Sequence, residues 1–214
     1  MDRCPPAEHR PSDPPSLWLV RHGQSTWNAR HLIQGHDDTS FLTPTGQRQA
    51  LEVADLLGQH DIGAIYSSDL RRARQTASPL ARHLKLAVTV DARLRERAFG
   101  VLEGRPAADL DPASSGLDDD AVIDADARAD GGESVRELFG RTTAFLADLR
   151  PPAHGDVVLF VHGGSLRTLL AARTGVAVER LGWGPVRNAT VVHVPLAPRP
   201  PSAETPRHVL TATN

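Results

Sequence analysis

Short apolar runs alternate with longer amphipathic segments along this chain, and that alternation constrains the fold more than any other feature. The apolar runs occupy residues 17–20, 64–68, 86–90, 156–164 and 189–196. The amphipathic segments between them occupy residues 43–60, 69–84, 133–150 and 165–175. Strand followed by helix, repeated in this way, predicts an α/β fold with a largely parallel central sheet. The 214 residues show no break in composition near the middle, so we expect one domain.

The two ends of the chain differ in composition from the part between them, because both are polar and rich in proline. We therefore predict a disordered leader over residues 1–15, a folded domain over 16–196 and a tail over 197–214. The leader has charges and prolines where a secretory signal needs an apolar run, and no stretch of about 18 apolar residues occurs. Cys4 is the single cysteine and has no disulfide partner. These features predict a soluble, cytoplasmic protein.

The charge balance argues against polyanionic partners. The formal net charge is -2, so no overall basic field is available for nucleic acid or for an anionic membrane surface. A site for an anion must therefore be local. Lys85 is the only lysine, and arginine, which supplies nearly all the positive charge, makes bidentate contacts with oxyanions readily.

Polar clusters follow three of the predicted strands: RHGQST after the first, SSDLRRA after the second and HGGS after the fourth. In a parallel sheet the carboxyl ends of strands meet at one edge, where ligands bind and helix N-termini favour anions. A lone histidine at a strand end is more often structural than catalytic, but His22 and His162 each end an apolar strand and each precede a glycine. Together with Arg21 and Arg72 they predict a cationic pocket that is costly unless an anion with several oxygens fills it.

Six segments now resemble one family in order and spacing: RHGQSTWN, QGHDD followed by SFLTPTGQRQA, SSDLRRARQTA, RLRERAFGVLEG, GGES and VHGGSLR. They are similar to the histidine phosphatase superfamily, the phosphoglycerate mutase-like group. The resemblance runs from about Leu17 to about Leu196. It implies a three-layer αβα sandwich with a mostly parallel central sheet.

The resemblance also implies roles for five residues. His22 would attack phosphorus and carry a phosphohistidine, and Glu96 would act as the acid and base. The remaining three would stabilise the phosphoryl oxygens: Arg21, Arg72 and His162. The structural alternative for Glu96 is a salt bridge to Arg95 or Arg97.

Further positions are assigned to phosphate or substrate binding: Asn28, Ser25, Gln34, Gly35 and Gly163. No metal and no cofactor are expected. The run GHDD at 35–38 invites a metal interpretation, but three adjacent side chains do not easily converge on one ion. The expected partner is a small phosphate ester, and the sequence leaves open whether the chain forms a homodimer.

Hydrolysis of a small phosphorylated metabolite is the leading interpretation of the activity. One alternative is a cofactor-dependent phosphoglycerate mutase, which the short segment between ERAFG and GGES disfavours because it lacks the insertion that grips a second phosphate. The other is a catalytically silent, phospholigand-binding member of the fold, disfavoured because all five principal residues are present. Selectivity is expected in residues 97–132 and near Trp183, including the acidic run 117–132, read as a solvated loop or as a cap over the crevice.

Overall fold

The computed structural model describes residues 15–110, 124–181 and 186–196, and the backbone of 209–210. Its central sheet contains β1 (Ser16–Arg21), β2 (Ile62–Ser67), β3 (Val88–Val90), β4 (Asp156–Val161), β5 (Val191–Pro195) and β6 (Val209–Leu210). Within the described residues the strand order is β3-β2-β4-β1-β5-β6. The pairs from β3 to β1 are parallel, whereas β5 runs antiparallel to β1 and to β6.

Helices cover both faces of this sheet. They are α1 (Thr26–Ala29), α2 (Pro44–Leu57), α3 (Arg71–Leu84), α4 (Val135–Asp148) and α5 (Gly163–Thr174), with short 3₁₀ turns at Ala92–Leu94, Gly100–Leu102, Ala107–Asp109 and Val178–Arg180. Among the long helices, Thr43 caps the N-terminus of α2, and Ser134 forms a capping box with Glu137 at α4. Gly175 ends α5 in the left-handed conformation that glycine adopts without strain.

The core has two halves because side chains alternate across each strand. On one face Val20 and Phe160 pack with residues of α2 and α3, among them Val53 and Leu80. On the other face β1 and β4 pack against the remaining two long helices, and the residues in that cluster include Leu19, Leu159, Phe145 and Leu169. The result is the predicted three-layer αβα sandwich with a mostly parallel sheet, so the fold-class prediction is confirmed.

The apolar run 156–164 contains the end of a strand and the start of a helix. β4 stops at Val161 and α5 begins at Gly163. His162 lies between them as the N-cap residue, with its backbone N–H bonded to Ser165 Oγ at 3.0 Å. The chain therefore turns directly from a buried strand into a helix at the second histidine.

Residues 1–14 of the predicted leader, most of the predicted tail and Trp183 lie outside the described residues, and so does part of the acidic run, residues 117–123. The bounds of the domain stay a prediction. Within the described part of the chain, no helix has both the length and the apolar character needed to cross a membrane.

Candidate active site

His22 follows β1 at the carboxyl edge of the sheet, and only 2% of it is exposed. Its Nδ1 lies 2.8 Å from the carbonyl oxygen of Gly23. Because a carbonyl only accepts a hydrogen bond, Nδ1 must carry the proton. Nε2 then holds the lone pair, and among the described residues the only hydrogen bond of the His22 ring is the one at Nδ1. The backbone thus selects the tautomer that leaves a nucleophilic nitrogen in the pocket.

His162 and the two arginines complete a group of buried, unsatisfied polar atoms. The ring centroids of His22 and His162 lie 5.1 Å apart. Within the described residues, neither ring nitrogen of His162 has a hydrogen-bond partner, and the same holds for Nε of Arg21 and Nε of Arg72. Buried polar atoms are nearly always bonded in folded proteins, so this concentration of exceptions indicates a site that a ligand completes.

Backbone carbonyls accept hydrogen bonds from both terminal nitrogens of Arg72 and from one of Arg21. Arg72 is fully buried on α3, and its Nη1 and Nη2 donate to the carbonyls of Asp37 at 2.9 Å and Gly35 at 2.8 Å. Arg21 Nη1 donates to the carbonyl of Val186. These contacts orient both guanidinium groups without neutralising them, and so their charge remains available to an anion.

Burial and the charges in the pocket lower the pKa values of its histidines and of Arg72. Burial, followed by the positive charges of Arg72 and Arg21, holds the pKa of His22 well below its ordinary value of 6.5. Burial and the same arginines also hold the pKa of His162 well below that value. Burial lowers the pKa of Arg72 to about 10, against an attraction from Glu96 that raises it. At neutral pH the arginines are therefore charged and both imidazoles are neutral.

Glu96 lies at the N-terminus of α5. Its Oε1 accepts hydrogen bonds from the backbone N–H of Gly164 at 2.9 Å and of Arg97 at 2.8 Å. A Cβ on Gly164 would come within 2.3 Å of that oxygen, so only glycine permits this approach. The first alternative partner, Arg95, is bonded instead to Asp69, with Nε and Oδ1 2.8 Å apart. The carboxylate of Glu96 therefore faces the cationic pocket from the edge of α5.

Arg141 on α4 fixes the segment that carries Glu96, a role that the sequence did not indicate. Its guanidinium donates to the carbonyls of Arg93, Arg95 and Glu96 at 2.7, 2.8 and 2.6 Å. The same group pairs with Glu133, the acidic residue of the GGES segment, with Nε 2.6 Å from Oε1. A mid-helix arginine carries no local signal of this long-range contact, so only the tertiary structure could reveal it.

The side-chain amides of Asn28 and Gln34 are bonded in the same way, through their oxygens. Asn28 Oδ1 accepts from the backbone N–H of Ser25 at 3.1 Å, and Gln34 Oε1 accepts from the hydroxyls of Ser25 and Ser40 at 2.7 and 3.0 Å. In both residues the oxygen is occupied, and the NH₂ group has no hydrogen-bond partner among the described residues. Ser25 was predicted to offer its hydroxyl to phosphate. That role stays a prediction; the hydroxyl donates its proton to Gln34 Oε1, and the residue caps α1.

Gly35 and Gly163 both lie at the pocket through their backbones. Gly35 adopts a left-handed φ of 49°, and a Cβ there would come within 2.0 Å of Glu103 Oε1. Its carbonyl is the acceptor for Arg72. Gly163 is the first residue of α5, directly after His162.

The side chains of the GHDD run diverge. His36 Nε2 bonds to the carbonyl of Glu96 at 2.8 Å, Asp37 accepts from the backbone N–H of Thr39 at 2.8 Å, and Asp38 accepts from the backbone of Arg71. In the described parts of the chain, no three His, Cys, Asp or Glu side chains converge in a way that could hold a metal ion.

Asn188 belongs to the site although the sequence did not point to it. It lies just before β5, and its Nδ2 donates to the carbonyl of His22 at 3.1 Å and to Asn28 Oδ1 at 3.0 Å. Only the antiparallel pairing of β5 with β1 brings the start of β5 to the edge where β1 ends. A prediction of that pairing would have been the signal, and strand periodicity alone did not supply it.

A buried cationic pocket with unsatisfied donors and a histidine at the end of a parallel strand is suited to bind a phosphoryl group. Comparison with known proteins agrees: the model of the histidine phosphatase superfamily (branch 1) matches residues 17–206. The chain belongs to this superfamily.

Individual relatives are similar over most of the chain. The probable phosphoglycerate mutase GpmB of Salmonella choleraesuis (strain SC-B67) is 39% identical over 162 residues, 75% of each chain. The structure of a mycobacterial glucosyl-3-phosphoglycerate phosphatase in complex with VO3 is 33% identical, with a TM-score of 0.73 over 84% of this chain and 92% of that one. The structure of the same phosphatase in complex with inorganic phosphate is 31% identical, with a TM-score of 0.69 over 84% of this chain and 88% of that one.

Proposed function

We propose that this chain hydrolyses the phosphate monoester of a small metabolite through a phosphohistidine on His22, without a metal ion or cofactor. The single observation that carries the proposal is the hydrogen bond from His22 Nδ1 to the Gly23 carbonyl, which leaves a lone pair on Nε2. The depressed pKa of His22 supports it, because only a neutral imidazole is nucleophilic.

The first half of the reaction transfers the phosphoryl group to the enzyme. Nε2 of His22 attacks phosphorus and the bond from phosphorus to the ester oxygen breaks. Glu96, protonated, gives its proton to the departing oxygen, since an alkoxide without a proton leaves poorly. Arg21, Arg72 and neutral His162 face the equatorial oxygens, where charge must be stabilised.

The second half restores the enzyme. Glu96, now a carboxylate, takes a proton from water as that water attacks phosphorus. The bond from phosphorus to Nε2 breaks, inorganic phosphate leaves and His22 returns to its neutral form. Glu96 is again protonated, so one carboxyl group serves both halves.

A phosphoglycerate mutase is the second candidate, and the 39% identity to a probable enzyme of that kind favours it. A mutase must hold a second phosphate while the intermediate reorients. The short segment between Glu96 and the GGES motif offers little for that purpose, whereas the similar mycobacterial phosphatase supports hydrolysis.

The test is phosphate release from a panel of monoesters with a chelator present. The panel contains sugar phosphates, nucleoside monophosphates, 3-phosphoglycerate and a glycosylated 3-phosphoglycerate. The native protein should release phosphate from at least one ester, the His22→Ala variant from none, and His193→Ala, changed at the other end of the sheet, should match the native protein. Isomerisation of 3-phosphoglycerate with added bisphosphoglycerate, in place of hydrolysis, would contradict the proposal in favour of the mutase.

A further inference from the structure

Asn188 lies between the backbone of the nucleophile and the amide of Asn28. Its Nδ2 donates to the carbonyl of His22 at 3.1 Å and to Asn28 Oδ1 at 3.0 Å. An amide NH₂ has two protons, so both bonds form at once. Asn188 thus ties together two parts of the pocket that belong to different segments.

The orientation of the Asn28 side-chain amide, meaning which terminal atom is oxygen and which is nitrogen, follows from the groups that donate hydrogen bonds to it. The backbone N–H of Ser25 faces the same atom at 3.1 Å, and a backbone N–H can only donate, so that atom is the oxygen. The hydroxyl of Ser25 has one proton, and its shorter contact is to Gln34, at 2.7 Å. Asn188 is therefore the second firm donor that holds Oδ1 away from the pocket.

The turn that presents Asn188 is strained. Ala189 adopts a φ of 59° although it is not glycine, and it is buried. Its backbone N–H donates to the carbonyl of His22 at 3.2 Å, and Arg21 N–H donates to the carbonyl of Thr190 at 2.9 Å. A left-handed alanine costs free energy and persists only where its surroundings impose it, often at functional sites. Here it fixes Asn188 against the end of β1.

We propose that Asn188 is a positioning residue that directs the Nδ2 of Asn28 at the phosphoryl oxygens by occupying Asn28 Oδ1, and that holds the carbonyl of His22. The inference rests on the proposed function and deepens it. Asn28 would be the group that touches the substrate, and Asn188 would act through it.

Two substitutions separate this role from simple packing. Asn188→Asp keeps the shape but replaces the donor with an acceptor, which attracts the NH₂ of Asn28 and turns its oxygen toward the phosphate. Asn188→Ala removes the donor but leaves Ser25 to hold the amide. We expect kcat/KM to fall about 100-fold for Asn188→Asp and about tenfold for Asn188→Ala, since a hydrogen bond to a charged group is worth one to two powers of ten. A packing role predicts the opposite order, and that order would overturn the proposal.

The added charge of aspartate could act on the phosphate directly, so both substitutions are repeated with Asn28→Ala. If Asn188 acts through Asn28, the difference in kcat/KM between the Asn188→Asp and Asn188→Ala variants should shrink severalfold when Asn28→Ala is also present. An undiminished difference contradicts the proposal. Should Asn188→Asp not fold, the cycle of the two alanine variants decides: a smaller loss in the Asn28→Ala background is expected, and full additivity overturns the inference.

Binding of inorganic phosphate by titration calorimetry gives a readout that does not depend on hydrolysis. The dissociation constants should rank native, then Asn188→Ala, then Asn188→Asp, from tightest to weakest. If the native protein hydrolyses no ester, the proposed function fails, while this ranking still tests the role of Asn188. If hydrolysis is found and the ranking is reversed, only the role of Asn188 fails.

Discussion

Polar side chains are buried at both ends of β1 and β4, but the two ends differ in whether those side chains have hydrogen-bond partners. At the amino end the carboxylate of Asp156 accepts from the backbone N–H of Ser16 at 2.8 Å and from Trp18 Nε1 at 2.9 Å. Trp18 stacks on His193, with ring centroids 4.0 Å apart. At this end each of these polar groups has a partner within the chain.

At the carboxyl end, several buried polar atoms next to the same strands have no partner among the described residues. Both nitrogens of His162 and Nε of Arg21 are buried, and within the described residues nothing is bonded to them. Unsatisfied buried groups cost free energy, so a chain retains them where binding compensates for the cost. The comparison separates polar residues that stabilise the fold from polar residues that await a ligand.

The largest effect is expected at the carboxyl end of β1 and β4, where two neighbouring arginines can be compared. Arg72 is buried in the pocket, whereas Arg71 is exposed and lies over the ring of Phe41, 5.2 Å from its centroid. Arg72→Met should lower kcat/KM by a factor on the order of 10²–10³, because a donor to the transferring oxygens is lost. It should also abolish the rise in Tm that inorganic phosphate gives the native protein, an effect of about 2.7 kcal/mol at 100 times the Kd.

Arg71→Met is the matched control, because it removes the same charge from the adjacent position. We expect its kcat/KM and its phosphate-induced rise in Tm to equal those of the native protein. Equal losses in the two variants would show that general positive charge, and not the buried pocket, binds the phosphate.

A substitution at the amino end of β1 and β4, where the polar groups have partners, should lower stability and leave activity unchanged. Asp156→Ala leaves the buried Trp18 Nε1 without its acceptor, which should lower the free energy of unfolding by about 1–3 kcal/mol in urea. The kcat of the folded fraction should stay unchanged. A large loss of kcat without a loss of stability would mean that the two ends are coupled.

The smallest effect is expected in the pH dependence of stability. The pKa values of His22 and His162 are lowered in the folded state, so below about pH 6.5 the unfolded chain binds protons that the folded chain does not. The free energy of unfolding should therefore fall as the pH drops through 6.5. His193, whose pKa burial also lowers, contributes in the same direction.

Urea unfolding at several pH values between 7.5 and 5, using native protein and His162→Gln, isolates the contribution of the pocket. The variant should lose less stability over this range, because one of the depressed histidines is gone. An identical decline in both proteins would contradict the assignment of His162 as a buried neutral imidazole.

Much of this fold could be predicted because its signals are local. Apolar runs placed the strands within a few residues, and glycines after His22 and His162 marked the turns out of them. The antiparallel direction of β5 could not be predicted, since a short apolar run carries no information about its neighbour. Asn188 and Arg141 were missed for the same reason: each acts on residues more than 40 positions away in sequence.

The central claim is that His22 carries the phosphoryl group. The most direct test is rapid quenching of the native protein in alkali during turnover of its best ester, followed by peptide mass spectrometry. We predict one added phosphoryl group on the peptide containing His22, stable in alkali and lost in acid, and absent from the His22→Ala variant. Turnover with no phosphoryl group on His22 at any quench time, or with the group on another residue, would contradict the account.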